Sequence, residues 1–445
     1  MTSLHPLLQE PPLSLKTERL AHILATTENL LIIQDLDGVC MGLVNDPLTR
    51  QIDLDYVRAT QAFDGHFYVL TNGEHGGRRG INGIIERAVA AAGINPTSVG
   101  YLPGLAAGGV QWQDRDGRLS HPGVQAAELA FLAAVPARMQ TTLAQFCDQQ
   151  ADALPAAAVA DLIAASVLDN QASPSVNLNS FYAYWGDASE ERRRDHLETY
   201  QALQQVVQDL LLTLLQEAAA QGLGDSFFVH YAPNWGRDAQ GQERLKPAQA
   251  GDAGTTDFQF MLRGALKEAG VLALLNRYYG RRTGVYPLGE GFSVRDAPRQ
   301  LSELLALAIA QFDPAPMPLL VGVGDTVTSQ VVATATGWEA RRGGSDRNFL
   351  ELIQALDRHF QRGNLVVYID SSGGEVKNRR PITVAEVEGE QRAIAGPGDP
   401  RDTEDPLVLD VVLPGGHRQY LDLFCQAAQQ RAQIHPGSSA FPSRR

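Results

Sequence analysis

The chain sets short, unbroken apolar runs between stretches of helical spacing. Leu30-Leu31-Ile32-Ile33 is apolar at every position and stops at Gln34-Asp35-Leu36-Asp37-Gly38. An unbroken run bounded by a turn signal predicts a strand buried on both faces, as in a parallel sheet. Phe67-Tyr68-Val69-Leu70 repeats the pattern and ends at Thr71-Asn72-Gly73. Leu319-Leu320-Val321-Gly322-Val323 ends at Gly324-Asp325-Thr326, and Leu365-Val366-Val367-Tyr368-Ile369 at Asp370-Ser371-Ser372. After the second run, a glycine-rich loop leads into Ile81, Ile84, Ile85, Ala88 and Val89, which is helical spacing. Apolar strands separated by helices predict an open α/β sheet, whose ligands gather beyond the carboxyl ends of the strands.

The middle of the chain has a different rhythm. Residues 124–165 are rich in alanine and leucine and read as helix. Asp187-Ala188-Ser189-Glu190 has the Asp-x-x-Glu arrangement of a capping box. It opens a long helix with an apolar face of Leu197, Tyr200, Leu203, Val207, Leu210, Leu211 and Leu214, stopping near Gly222 and Gly224. Residues 227–231 then read as a strand. The expected organisation is a Rossmann-like α/β core, residues 1–104 and 286–445, carrying a large α/β lobe inserted at 105–285. Residues 395–406, rich in Gly, Pro and acids, read as an exposed loop.

Composition narrows the function classes. Acids outnumber bases 51 to 37, a formal net charge of −14, which argues against a protein that coats nucleic acid. Hydrophobic residues are 44% and charged residues 20%, an ordinary folded composition. No apolar run approaches the ~18–20 residues of a membrane span, and residues 1–10 lack the pattern of a secretory signal. Cys40, Cys147 and Cys425 are too few and too far apart for a disulfide framework or a zinc site. The expectation is an acidic, cytoplasmic protein without nucleic-acid or membrane partners. Nothing in the sequence indicates its oligomeric state.

Asp35 and Asp37 are the strongest chemical signal. Side chains two apart on an extended chain point the same way, so both carboxylates can face one ligand at the strand end. Such a pair is stable only with a cation nearby or a proton on one member. That suits a nucleophilic carboxylate beside an acid/base carboxylate. Taken alone, Asp-x-Asp also occurs as a solvated turn. Two further strand ends change the balance. Thr71 and Asn72 offer a hydroxyl, an amide and backbone N–H groups to an oxyanion. Asp325 adds a third carboxylate, which with Asp35 could hold Mg²⁺, a hard ion that takes few protein ligands.

Asp35-Leu36-Asp37-Gly38-Val39, Thr71-Asn72 and Gly324-Asp325-Thr326 resemble the first, second and fourth motifs of the haloacid dehalogenase superfamily of phosphatases. Most of the chain, including Val321-Gly322-Val323-Gly324-Asp325 and Arg342-Gly343-Gly344-Ser345-Asp346, is similar to the salt-tolerance phosphatases. The resemblance implies Mg²⁺-dependent removal of phosphate from glucosylglycerol 3-phosphate, the last step in making a compatible solute. By the same resemblance Asp35 would be nucleophile and metal ligand. Asp37 would be acid and base, with its carbonyl on the metal; Thr71 and Asn72 would hold phosphate, and Asp325 would complete the metal site. A phosphatase of sucrose or trehalose phosphate, a phosphotransferase, or a non-catalytic sugar-phosphate sensor would share this core.

Two positions depart from the superfamily pattern. Its fourth motif often has a second acid within about five residues, but Asp325 is followed by Thr326-Val327-Thr328-Ser329. Asp346 supplies that acid after an insertion, or else caps a helix. The third motif should be a Lys or Arg that screens phosphate charge, and the chain has only Lys16, Lys246, Lys267 and Lys377 as lysines. Arg295, opening the stretch that leads to the Asp325 strand, is the expected residue, with Lys246 the alternative. A guanidinium forks well onto phosphate oxygens. For the lobe, the sugar-suited residues are His230, Tyr231, Asn234, Trp235 and Arg237, with a basic-aromatic cluster at Arg277, Tyr278, Tyr279, Arg281 and Arg282. Cys40 reads as a small buried residue.

Overall fold

A computed structural model of the chain describes residues 11–44, 47–77, 79–95, 99–150, 154–186, 190–237, 243–250, 252–334, 337–376 and 379–435. Two compact units divide it: 1–123 with 266–445, and 124–265. The first unit opens with α1 (Thr17–Thr26), β1 (Leu30–Gln34), α2 (Leu54–Ala59), β2 (Phe67–Leu70), α3 (Ile81–Ala92), β3 (Gly104–Ala106), β4 (Gln111–Gln113) and β5 (Leu119–Ser120). The second comprises α4 (Ala126–Gln149), α5 (Ala156–Ser166), β6 (Val167–Leu168), β7 (Ser175–Asn177), α6 (Asn179–Gly186), α7 (Glu190–Ala220), β8 (Phe227–Ala232), β9 (Asn234–Arg237), β10 (Glu243–Leu245) and β11 (Asp257–Leu262). The chain then returns through α8 (Lys267–Thr283), α9 (Leu301–Gln311), β12 (Leu319–Gly324), β13 (Thr328–Thr334), β14 (Gly337–Gly343), α10 (Arg347–Phe360), β15 (Leu365–Ile369), β16 (Thr383–Val387), β17 (Glu390–Ala395), β18 (Val411–Leu413) and α11 (Gly416–Ile434).

The core sheet has the order β18-β15-β12-β1-β2-β3-β4-β5. β1 lies between β12 and β2, and the six strands from β18 to β3 are parallel. All four apolar runs expected as strands are there. β1, β2, β12 and β15 are buried at every position. One face packs on α1, α2, α3 and α11 through Leu20, Ile23, Tyr56, Ile84 and Phe424. On the other, α10 lays Leu350 and Ile353 against Gly322 of β12, where a Cβ would come within 2.9 Å of both side chains. This doubly covered parallel sheet is the expected Rossmann-like class.

The unit boundaries correct the expected ones. The predicted lobe began at 105 and ended at 285, whereas the second compact unit is 124–265. β3, β4 and β5 extend the core sheet, the last two antiparallel; strands of two or three residues are too short for periodicity to reveal. At the far boundary, α8 is buried along most of its length and belongs to the first unit. Tyr278 and Tyr279 are therefore core residues: their hydroxyls donate to Asn29 Oδ1 at 2.7 Å and to the Asp313 carbonyl at 2.6 Å. Arg277 stacks over Trp112, 4.1 Å from its ring centre.

Within the second unit, β6, β7, β11 and β8 form a four-stranded antiparallel sheet, so this unit is mixed α/β as expected. Its long helix begins at Glu190; the Asp187–Ser189 part of the expected capping box lies outside the described residues. The stretch expected as an open loop at 395–406 follows the hairpin β16–β17. It includes the buried Asp399, whose carboxylate accepts the Val331 N–H at 2.9 Å and so anchors β13.

Candidate active site

Three strand ends of the first unit converge. The Asp35 N–H donates to the Val323 carbonyl at 3.0 Å, which continues the β1–β12 ladder one step and seats Asp35 beside the end of β12. The chain then turns tightly: the Gly38 N–H donates to the Met41 carbonyl at 2.8 Å. Gly38 has φ +76°, and a Cβ there would lie 2.1 Å from Asp325 Oδ2. Only glycine both adopts that backbone and lets the Asp325 carboxylate come so close.

Asp346 closes the cluster. The hairpin β13–β14 stands between Asp325 and Asp346, and its pairing of Thr328 with Gly343 brings the two feet together. Asp346 Oδ2 accepts the backbone N–H groups of Asp325 at 2.8 Å and Thr326 at 3.0 Å. Its Oδ1 lies 2.6 Å from Lys267 Nζ, which is also 3.1 Å from Asp35 Oδ1. Asp35, Asp325 and Asp346 are all buried, with one ligand atom from each inside a 4.8 Å span. Asp346 precedes α10, but its side chain makes no capping bond to that helix. Its carboxylate turns to the backbone at Asp325 and Thr326 rather than to the first turn of α10.

The cation that lies beside Asp35 is Lys267, rather than the expected Arg295 or Lys246. Arg295 instead donates through Nη1 to the Gly123 carbonyl at 2.8 Å. Lys246 pairs with Asp252 at 2.6 Å, in the second unit. The cation beside Asp35 is the first residue of α8, buried and 5.0 Å from the Phe349 ring centre. In the sequence Lys267 shares its place at a helix start with Lys16, which precedes α1, so position alone does not single it out.

Burial sets the electrostatics. It pushes the Asp35 carboxyl up to about 7; Lys267 works against the rise, and Asp346 and Asp37 add to it. Asp325 is driven well above the usual carboxylate range, by burial first and then by Asp346 and Asp35. Burial also works against the Lys267 ammonium, but Asp346 and Asp35 outweigh it and raise its pKa. Asp37 is less enclosed, with Arg50 Nε 3.0 Å from its Oδ1.

The donor set fits a hard divalent cation. Oxygen carboxylates supply it without His or Cys, the chemistry of Mg²⁺-type sites. Asp325 Oδ2 is buried without a hydrogen-bond partner, and Asp35 Oδ1 has none beyond its ion pair with Lys267. Asp346 differs, because both its oxygens already receive N–H donors.

Thr71 is buried at the end of β2, with its N–H on the Leu105 carbonyl at 3.0 Å and its Oγ1 accepting the Gly73 N–H at 3.2 Å. Asn72 is exposed beside it. Cys40 is buried, and burial drives its thiol far above the ordinary range, with Asp37 and Asp35 adding to the rise. Among the lobe residues, His230 Nδ1 is 2.9 Å from the Glu243 carboxylate, which also accepts the Tyr231 N–H and the Asn234 amide. The side chains of Trp235 and Arg237, like Lys377, lie outside the described residues.

Residues 29–428 match the glucosylglycerol-phosphate phosphatase family, and the chain belongs to that family of phosphoric monoester hydrolases. The membership accords with the haloacid dehalogenase resemblance of the strand-end motifs. Its relative in Synechocystis sp., glucosylglycerol-phosphate phosphatase, is 59% identical over 412 residues, covering 93% of this chain and 95% of that protein. Solved structures with a distant likeness include the C-terminal domain of C. albicans trehalose-6-phosphate phosphatase (10% identity, 94% of this chain, 99% of that chain, TM-score 0.39). Aspergillus fumigatus trehalose-6-phosphate phosphatase is another (9% identity, 95% of this chain, 99% of that chain, TM-score 0.35). Among the described residues, no helix is long and apolar enough to cross a membrane.

Proposed function

We propose that this chain is a cytoplasmic, Mg²⁺-dependent phosphatase that hydrolyses glucosylglycerol 3-phosphate through an aspartyl phosphate on Asp35. Family membership supports the substrate. One observation carries the chemistry: a buried Asp35 held against Lys267 at 3.1 Å, beside Asp325 and Asp346. Asp35 and Asp325 would hold the ion directly, with the Asp37 carbonyl. Asp346 would reach it through the remaining capacity of Oδ1 or through water. The bound ion supplies positive charge that offsets the repulsion between carboxylate and phosphate.

The residues of the chain divide the work. Asp35 Oδ attacks phosphorus as the bond to the glycerol oxygen breaks, and Asp37 gives that alkoxide its proton. Lys267 neutralises charge on the transferring oxygens and keeps Asp35 available as a carboxylate. Thr71 and Asn72 hold phosphate oxygens at the neighbouring strand end. Asp37 then takes a proton from water, which attacks the aspartyl phosphate, releases inorganic phosphate and restores Asp35. The 124–265 unit would read the sugar.

Phosphate release from glucosylglycerol 3-phosphate tests the reading. Activity is expected to vanish after chelation and to return with Mg²⁺. Asp35→Asn should be inactive on every substrate. Asp37→Asn should lose ~10²–10⁴-fold on the alkyl phosphate and less on an aryl phosphate, whose leaving group needs no proton. Turnover by Asp35→Asn, or a phosphoryl label on another residue, would refute the mechanism.

A further inference from the structure

Asp325 owes its orientation to a chain of two further side chains. Its Oδ1 accepts the Thr326 hydroxyl at 2.8 Å. The same Thr326 Oγ1 lies 3.0 Å from Arg379 Nη2. Arg379 follows β15 in the sequence, in the segment that leads to β16. A guanidinium has donors and no acceptor, so in this contact the hydroxyl oxygen must accept. A hydroxyl carries one proton, and with its oxygen engaged by Arg379 that proton is directed at Asp325 Oδ1. The bond occupies one carboxylate oxygen and leaves the other, Oδ2, buried without a hydrogen-bond partner against Gly38.

We propose that Thr326 and Arg379 are positioning residues that hold Asp325 with Oδ2 turned toward the divalent ion, a role resting on the metal reading given above. Partners of this kind fix a metal ligand's orientation, and their loss costs about 10–100-fold in metal affinity. The relay makes a prediction of sign that simple charge does not. Arg379 is a cation near a cation site, so removing its charge alone would tighten metal binding by relieving repulsion. Removing it as the partner that orients Thr326 would weaken binding.

Direct Mn²⁺ binding to the full, metal-free chain, measured by electron paramagnetic resonance without substrate, separates the two. Thr326→Val and Arg379→Met should each weaken Mn²⁺ about 10–100-fold, and the double variant should be no weaker than Thr326→Val alone. Thr326→Ser, which keeps the hydroxyl, should bind nearly as the unaltered chain does. Arg379→Gln keeps an N–H donor without the charge; it should fall short of the Arg379→Met loss, and it stands in if Arg379→Met does not fold. Tighter or unchanged binding by Arg379→Met, equal binding by the valine and serine variants, or additive losses in the double variant would overturn the relay. Failure of the unaltered chain to bind Mn²⁺ would overturn the metal reading itself, and the relay with it.

Discussion

Replacing Lys267 with methionine removes the cation from between two buried carboxylates while keeping nearly the same length. At an effective dielectric near 20, unit charges at the observed 3.1 and 2.6 Å attract by roughly 5 and 6 kcal/mol. Desolvation of the ammonium offsets much of that. Breaking such a buried pair from one side costs about 3–5 kcal/mol, because an uncompensated charge stays behind. The cost depends on pH, and its sign follows from Asp35. Burial raises that carboxyl to about 7, with Lys267 the largest influence against the rise. A carboxyl raised above its unfolded value binds more protons folded than unfolded, so stability falls as pH climbs from about 4 to the folded pKa. Without Lys267 the folded pKa rises further, and the falling window extends above 7. Scanning calorimetry of the metal-free Lys267→Met chain at pH 8 and pH 5.5 reads this directly. The core transition should drop by about 5–10 °C at pH 8 and by clearly less at pH 5.5, where Asp35 takes up a proton. Equal losses at both pH values would refute the electrostatic account and leave a packing role for the lysine.

Two other substitutions probe the same unit. Gly38→Ala places a Cβ 2.1 Å from Asp325 Oδ2 at a positive φ, which costs ~1–2 kcal/mol in backbone strain and displaces the carboxylate. Phosphatase activity should fall far more than a circular-dichroism melt shifts, and full activity would contradict the close approach. Tyr279→Phe removes the hydroxyl that donates to the Asp313 carbonyl and should cost ~1 kcal/mol in urea unfolding. The ratio of sugar-phosphate to aryl-phosphate turnover should not change, and a shifted ratio would contradict its place in the core.

What could be read from the residues follows how strongly burial constrains them. β1, β2, β12 and β15 are covered on both faces, so nearly every position is apolar and their ends stand out, with Asp35, Thr71 and Asp325 just beyond them. Lys267 was hidden because a lysine at a helix start looks the same in sequence whether solvated or wedged between two acids. Only the packing of α8 and α10 distinguishes these. The lobe boundary at 285 failed for a related reason: the arginines and tyrosines of α8 resemble a polar surface, yet Tyr278 and Tyr279 are buried with their hydroxyls satisfied. The hairpins β13–β14 and β16–β17 have no buried position, so no side of them is consistently apolar and no period-2 signal arises.

The hairpin between Asp325 and Asp346 separates distance along the chain from distance in space. An antiparallel ladder hands its chain back where it took it, so the rung joining Thr328 to Gly343 sets the gap between the two acids. The number of residues above that rung does not enter. Lengthening or trimming the chain, or splicing a reporter into it, between Thr334 and Gly337 would leave the carboxylate spacing untouched, provided the lowest rungs remain. A search that demands a fixed count between the two acids would pass over this chain, whereas one that allows any self-closing excursion there would find it.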